Sequence, residues 1–280
     1  MGVDLSEKLL INAGITYVDR GMAGDNRSAI LDEELTVQVN RNFDAWLPRV
    51  GISYALTERH TLVAAISRAY SPPSLFELVD PITGLLSPSL RAEVADNYEV
   101  GMKGSIGSFI NYHFNAYITN VNSAIRQDLA IDGTEYFTNQ GDMRLRGIEA
   151  RLLYNRDLTE SIQLSAYMNG ALQRHEWLIE DVDLFTDSPY QVPGTPRAMA
   201  AIGADLRLDA GFFMNVHWRW SDTAPANSRN TDFISSFDVL NSKIGYDFNR
   251  LLPGKWNASI FVGAQNLLNE RYTSFVNFDA

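Results

Sequence analysis

The sequence contains no cysteine. That removes a disulfide framework, a thiolate metal site and a cysteine nucleophile from consideration. It also lacks any run of ~18 consecutive apolar residues, so it offers no transmembrane helix. A barrel strand needs only ~9–11 residues, with apolar and polar side chains alternating, so a membrane stays open. Basic residues are in deficit: 23 Lys and Arg against 34 Asp and Glu leave a formal net charge of −11. This balance argues against a nucleic-acid binder, which needs a basic stripe for phosphates. The N-terminus, Met1 to Lys8, has no basic segment followed by an apolar core, so it is not a signal peptide. Two expectations follow: the chain is not exported, or it is a fragment with an added or internal Met1.

Catalytic signatures are missing too. The four histidines, His60, His113, His175 and His217, are isolated in sequence, and neither H-E-x-x-H nor G-x-S-x-G occurs. Gly101-Met102-Lys103-Gly104 lacks the Walker spacing of a phosphate loop. An acidic group at Glu180, Asp181, Asp183 and Asp187 has the chemistry to hold a hard cation. A solvated acidic loop is the plainer expectation for it. No enzyme, no resident metal and no cofactor is expected.

What is present is period two. The 280 residues include twelve Tyr and fourteen Phe, which suits strands better than a helical bundle. Tyr98, Val100, Met102, Gly104 and Ile106 alternate with Asn97, Glu99, Gly101 and Lys103. Ile148, Ala150, Leu152 and Tyr154 alternate with Gly147, Glu149 and Arg151, and Phe212, Met214, Val216, Trp218 and Trp220 with Asn215, His217 and Arg219. These are amphipathic strands. About eleven are expected, near 7–18, 46–56, 60–70, 96–106, 108–121, 141–155, 161–175, 196–208, 211–221, 235–248 and 256–267.

The connections alternate in length. Short ones fall near 57–60, 104–108, 155–160 and 207–211, and long ones at roughly 19–45, 70–95, 120–140, 174–196 and 221–235. A soluble sandwich has no reason for this rhythm. A transmembrane barrel has short periplasmic turns and long extracellular loops. The polar faces, rich in Asn, Gln, Glu, Arg and Lys, suit a wet lumen. Trp46, Tyr54, Tyr98, Tyr154, Trp218, Trp220, Tyr246 and Trp256 lie towards the ends of apolar faces, where interfacial girdles belong or where aromatics cap a sandwich core. The fold class expected is all-β: an antiparallel up-and-down transmembrane barrel.

Several segments resemble the TonB-dependent receptors. Ser67-Arg68-Ala69-Tyr70-Ser71-Pro72-Pro73-Ser74-Leu75-Phe76-Glu77-Leu78 is similar to the family's strand that exits into a loop of the type S-x-x-F-x-x-P-x-x-x-E-L. Glu93 followed by Asn97-Tyr98-Glu99-Val100-Gly101-Met102-Lys103 matches E-x-x-x-N-Y-E-x-G-x-K. Asn139-Gln140-Gly141 and Arg146-Gly147-Ile148-Glu149 look like the N-x-G and R-G-x-E elements, and Asn266-Leu267-Leu268-Asn269-Glu270-Arg271-Tyr272 is close to N-L-[FL]-[DN]-x-x-Y. Their order and spacing cover nearly the whole chain.

The resemblance implies a barrel of about 22 strands with a plugged lumen. Residues 1–280 then form a C-terminal part of it, with the plug and the final strand outside the chain and two unpaired edges left. It implies the outer membrane of a Gram-negative bacterium, outer-membrane lipid as surroundings, and uptake of a ferric siderophore or similar chelate. Energy would come from the TonB complex acting through an N-terminal region absent here. Such a cargo keeps its own metal coordination, so the receptor supplies aromatic and cationic contacts. Loop candidates are Tyr70, Phe76, Arg126, Tyr136, Trp177, Tyr190 and Arg229. Rival expectations are uptake of a cobalamin or an oligosaccharide, a passive porin, and a soluble carbohydrate-binding β-protein.

Overall fold

The computed structural model describes residues 2–30, 33–78, 90–129, 135–139, 141–178, 190–248 and 258–274; for residues 2–6, 24–30, 33–39, 127–129 and 135–136 only the backbone is described. Twelve strands form one antiparallel sheet in chain order: β1 (Gly2–Ser6), β2 (Leu9–Ile30), β3 (Glu33–Thr57), β4 (His60–Ser71), β5 (Glu93–Ile106), β6 (Ile110–Asn122), β9 (Asp142–Thr159), β10 (Ile162–Leu178), β11 (Ala198–Leu208), β12 (Phe212–Ser221), β15 (Phe237–Asp247) and β16 (Ser259–Ala264). Two small hairpins lie outside it, β7 (Ile125–Leu129) with β8 (Glu135–Asn139) and β13 (Ala224–Pro225) with β14 (Phe233–Ile234). A single helical turn, α1 (Leu75–Leu78), follows β4. Each of the eleven expected strands has its counterpart, and β1 adds a short twelfth. Strands β1 and β16 are the edges, and the sheet is an open segment of barrel wall.

The alternation sorts the two faces. Ile66, Val100, Ile148 and Leu172 project from one face and are 56 to 64% exposed. A soluble sandwich would bury that face. Here it is the outer surface, and the clusters of buried hydrophobic side chains among the described residues are small and lie at the long-loop end of the strands. On the outer face of β9, Arg146 and Arg156 bracket Ile148, Ala150, Leu152 and Tyr154. The ten steps from one arginine to the other, at ~3.3 Å each and tilted about 40°, give a band about 25 Å tall, the height of a bilayer's apolar layer. Aromatics flank it. The Tyr17 and Trp46 rings meet at a tilt, 4.7 Å apart, on the long-loop side, and Phe212 and Tyr246 meet edge-on at 4.8 Å on the short-turn side. Trp256 lies outside the described residues.

The short turns are tight. Gly211 closes β11 to β12 with φ 104°, and a Cβ there would stand 2.5 Å from the carbonyl oxygen of Asp247; only glycine tolerates both demands.

One expectation is corrected. The connection at 19–45 is mostly strand: β2 and β3 pair without a register shift from Leu9↔Tyr54 to Ile30↔Glu33. Above the membrane both faces of a hairpin meet water, so the apolar alternation that marks a strand fades while the backbone pairing continues. The connections at 120–140 and 221–235 likewise contain hairpins of their own.

Candidate functional site

Tyr70 and the residues after it are fixed by their own sequence. The Ser74 amide donates to Oε2 of Glu77 at 2.5 Å and the Glu77 amide to Oγ of Ser74 at 3.3 Å, a reciprocal capping box that forms α1. The turn drives Leu78 into a fully buried cluster with Phe43 and Leu90. Tyr70, Ile125 and Phe137 pack on it, so the β2–β3 hairpin, α1 and the β7–β8 hairpin meet there.

Asn139 ties the same region together. Its Oδ1 accepts from the Arg91 amide at 2.7 Å, and its Nδ2 donates to the carbonyls of Arg91 and Ser123 at 2.9 and 2.7 Å. Beside it the carboxylate of Glu93 accepts from the Ile125 amide at 2.7 Å. Burial pushes the Glu93 carboxyl above the usual carboxylate range; the Ile125 amide opposes this and Glu77 adds to it. The residues of the family-like motifs therefore anchor loops.

A second cluster joins Val121, Ala124 and Trp177, with Tyr190 and Val192 packed against it. Asn230, at φ 54°, accepts from the Gln191 amide at 2.7 Å and donates to its carbonyl at 2.9 Å, which docks the β13–β14 hairpin onto this segment.

The sheet carries three tyrosine–histidine pairs: His60–Tyr112 sits on the outer face, whereas Tyr117–His175 (hydroxyl to Nε2 3.0 Å) and Tyr167–His217 line the lumen side. The last two each arch over a glycine on the strand between, Gly147 and Gly203. Among the described residues no three His, Cys, Asp or Glu side chains gather to hold a metal ion. Glu180, Asp181, Asp183 and Asp187 lie outside the described residues.

A concavity of about 600 Å³ opens on the lumen side of β9 to β12. Arg151, Asn169, Arg219, Phe237, Thr273 and Ser274 help to line it. Arg219 lies over two rings, 5.4 Å from the centroid of Phe237 and 5.2 Å from that of Tyr272, and the two rings stack at 4.8 Å. The turn after β16 holds Tyr272 there. Asn266, at φ 51°, accepts from the Glu270 amide at 3.0 Å and donates to its carbonyl at 2.9 Å. This arrangement offers a cationic, aromatic, partly apolar wall.

The seven sequence-chosen residues fall in different places. Tyr70 is half-buried on the first cluster, and Phe76 is 71% exposed on α1, edge-on to Phe137 at 5.6 Å. Arg126 is half-buried in β7. Tyr136 is in β8, and its side chain lies outside the described residues. Trp177 is buried and Tyr190 packs beside it, while Arg229 is exposed at the tip of the β13–β14 hairpin. They do not converge on one pocket. Arg219 was not among the loop candidates because it lies in strand β12, and Tyr272 entered only as the end of a family-like motif. The signal for Arg219 was there: a cation on the polar face of β12, at the mouth.

Comparison with known proteins gives the same architecture. The ferric yersiniabactin uptake receptor FyuA from Yersinia pestis superimposes with a TM-score of 0.77 at 18% identity, over 100% of this chain and 41% of that one. The siderophore receptor PiuA from Acinetobacter baumannii gives 0.73 at 16%, over 98% of this chain and 38% of that one. The copper transporter OprC gives 0.73 at 17%, over 96% of this chain and 41% of that one. The chain thus spans about two fifths of the length of these structures. At such identities the likeness is one of fold. The family model for the TonB dependent receptor-like beta-barrel matches residues 2–267. The chain therefore belongs to the TonB-dependent receptors, which reside in the outer membrane of Gram-negative bacteria.

Proposed function

We propose that this receptor takes up a ferric siderophore or a similar iron chelate, energised by the TonB complex. The observation that carries the reading is Arg219 stacked on Phe237 and Tyr272 at the lumen wall. A bulky, often anionic chelate is recognised through such surfaces, because its metal is already satisfied and only its periphery is available. The names of FyuA and PiuA support a siderophore as cargo. In this reading residues 1–280 form a C-terminal part of a larger barrel, and the plug and the TonB contact come from sequence outside it. Phe76 and Arg229, exposed on the loops, meet the chelate first; Tyr70, Arg126, Tyr136, Trp177 and Tyr190 shape the mouth around it.

The test is growth of a host lacking its own uptake receptors, carrying the whole gene, on iron-limited medium with defined siderophores. Rescue by at least one chelate, lost when TonB is deleted, is expected. No rescue by any iron chelate sinks the reading, and rescue by a cobalamin or an oligosaccharide instead reassigns the cargo. A steady conductance step from the purified protein without TonB favours a passive pore.

A further inference from the structure

On its long-loop side the outer face of the sheet ends in a polar row across five strands: Arg68, Asp96, Asn120, Arg144 and Glu176 stand in register. Half of this row balances itself. Arg68 and Asp96 make two bonds, at 2.7 and 2.9 Å.

The other half does not balance. Arg146 and Arg174 are directly opposite each other on β9 and β10, a placement of like charges that costs stability. Arg144 is one step along on the same face. Glu176 serves two of the three: it accepts from Nη2 of Arg146 at 3.4 Å and makes a short bond with Nε of Arg174. Nε of Arg144 donates at 3.0 Å to a neutral partner, Oδ1 of Asn120. Asp142, one step farther from the bilayer, accepts from the Ser123 amide at 3.0 Å. Counting Asp142, three cations face two carboxylates, so positive charge remains locally in a chain whose net charge is −11.

Exposure and height complete the picture. The Glu176 side chain is 9% exposed, whereas those of Arg146 and Arg174 are 44% and 52% exposed. The carboxylate lies underneath and the guanidiniums face outward. Ile118, beside Arg146 in the same register row, is 46% exposed, and one step nearer the middle of the band Ile148 and Leu172 are 59 and 64% exposed. Arg146 stands at the top of the apolar band, on the side of the long extracellular loops, which is the headgroup level of the outer leaflet.

The geometry points to a lipid-phosphate site: Arg144, Arg146 and Arg174 bind the phosphate of an outer-leaflet lipid, whose acyl chains run down past Ile118 along Ile148 and Leu172. Guanidinium forks match phosphate oxygens in pairs, and a phosphate relieves the facing of Arg146 and Arg174. The apolar side chains below select a lipid over free phosphate.

The probe is diphosphoryl lipid A, titrated against the protein of the whole gene in a nonionic detergent and read by native mass spectrometry. Arg146→Gln and Arg174→Gln each weaken retention roughly tenfold, the loss of one charge-assisted pair. Glu176→Gln strengthens it, because the competing carboxylate is gone; a purely structural role for Glu176 moves retention the other way. Arg156→Gln, at the opposite edge of the band, leaves it unchanged. Folding of each variant is checked by heat-dependent mobility on gels. Unchanged retention in a folded Arg146→Gln/Arg174→Gln double variant overturns the site, and full displacement of the lipid by an equal concentration of inorganic phosphate overturns the lipid as its ligand.

Discussion

The ring of Tyr167 lies across Gly203 on the neighbouring strand and brings its hydroxyl to Nδ1 of His217 on the strand beyond. The three residues stand in one register row of β10, β11 and β12. An aromatic ring covering a strand glycine restores the packing that the glycine forgoes.

A methyl group at position 203 therefore has no room: a Cβ there would overlap Cε1, Cζ and the hydroxyl of Tyr167, its three nearest atoms. Gly203→Ala is expected to cost about 1–3 kcal/mol, the usual range for overpacking. Adding Tyr167→Ser should recover much of that loss, since the obstacle is a side chain. Urea unfolding of the four variants in a double-mutant cycle checks the coupling; additive losses refute the contact.

Asn139→Ala removes three hydrogen bonds that tie residues 91 and 123 to the base of the β7–β8 hairpin. The expected cost is about 1–3 kcal/mol, concentrated locally because the partners are left unsatisfied. Hydrogen exchange should accelerate at Arg91 and Ile125 and stay unchanged in β9 and β10. Uniform acceleration along the sheet contradicts a local anchor.

Glu93 gives this region a pH dependence. Burial raises its carboxyl in the folded state, so folding favours the protonated form. Its stabilising contribution is complete below the pH at which a free carboxyl titrates, and it is lost as pH rises through the folded value. Exchange at the Ile125 amide, corrected for its intrinsic rate, should be slower at about pH 4 than at about pH 7. Glu93→Gln should flatten this difference.

Arg219→Ala leaves Phe237 and Tyr272 stacked on each other but takes the cation from the cavity wall. Under the proposed function, uptake of an anionic chelate should fall roughly tenfold, the worth of one cation–π or charge-assisted contact. Arg219→Lys should recover part of it. Radiolabelled iron uptake at a fixed receptor level measures this, and full uptake by Arg219→Ala rules out the stack as a contact.

Sequence alone determined the strands inside the membrane, the order of short turns and long connections, and the family. The reason is physical: a strand with lipid on one side and water on the other must alternate, and Ile148, Ala150, Leu152 and Tyr154 against Gly147, Glu149 and Arg151 write that alternation directly. Above the bilayer the constraint lapses, which is why β2 and β3 run on through a stretch that reads as a loop. Only the tertiary structure decided the roles of the motif residues. Asn139, Glu93, Glu77 and Asn266 belong to family-like motifs whose spacing says nothing of their roles, and in the fold each spends polar atoms on a backbone group. Which cations face each other, as Arg146 and Arg174 do, is likewise set by register between strands, and no spacing along one strand encodes it.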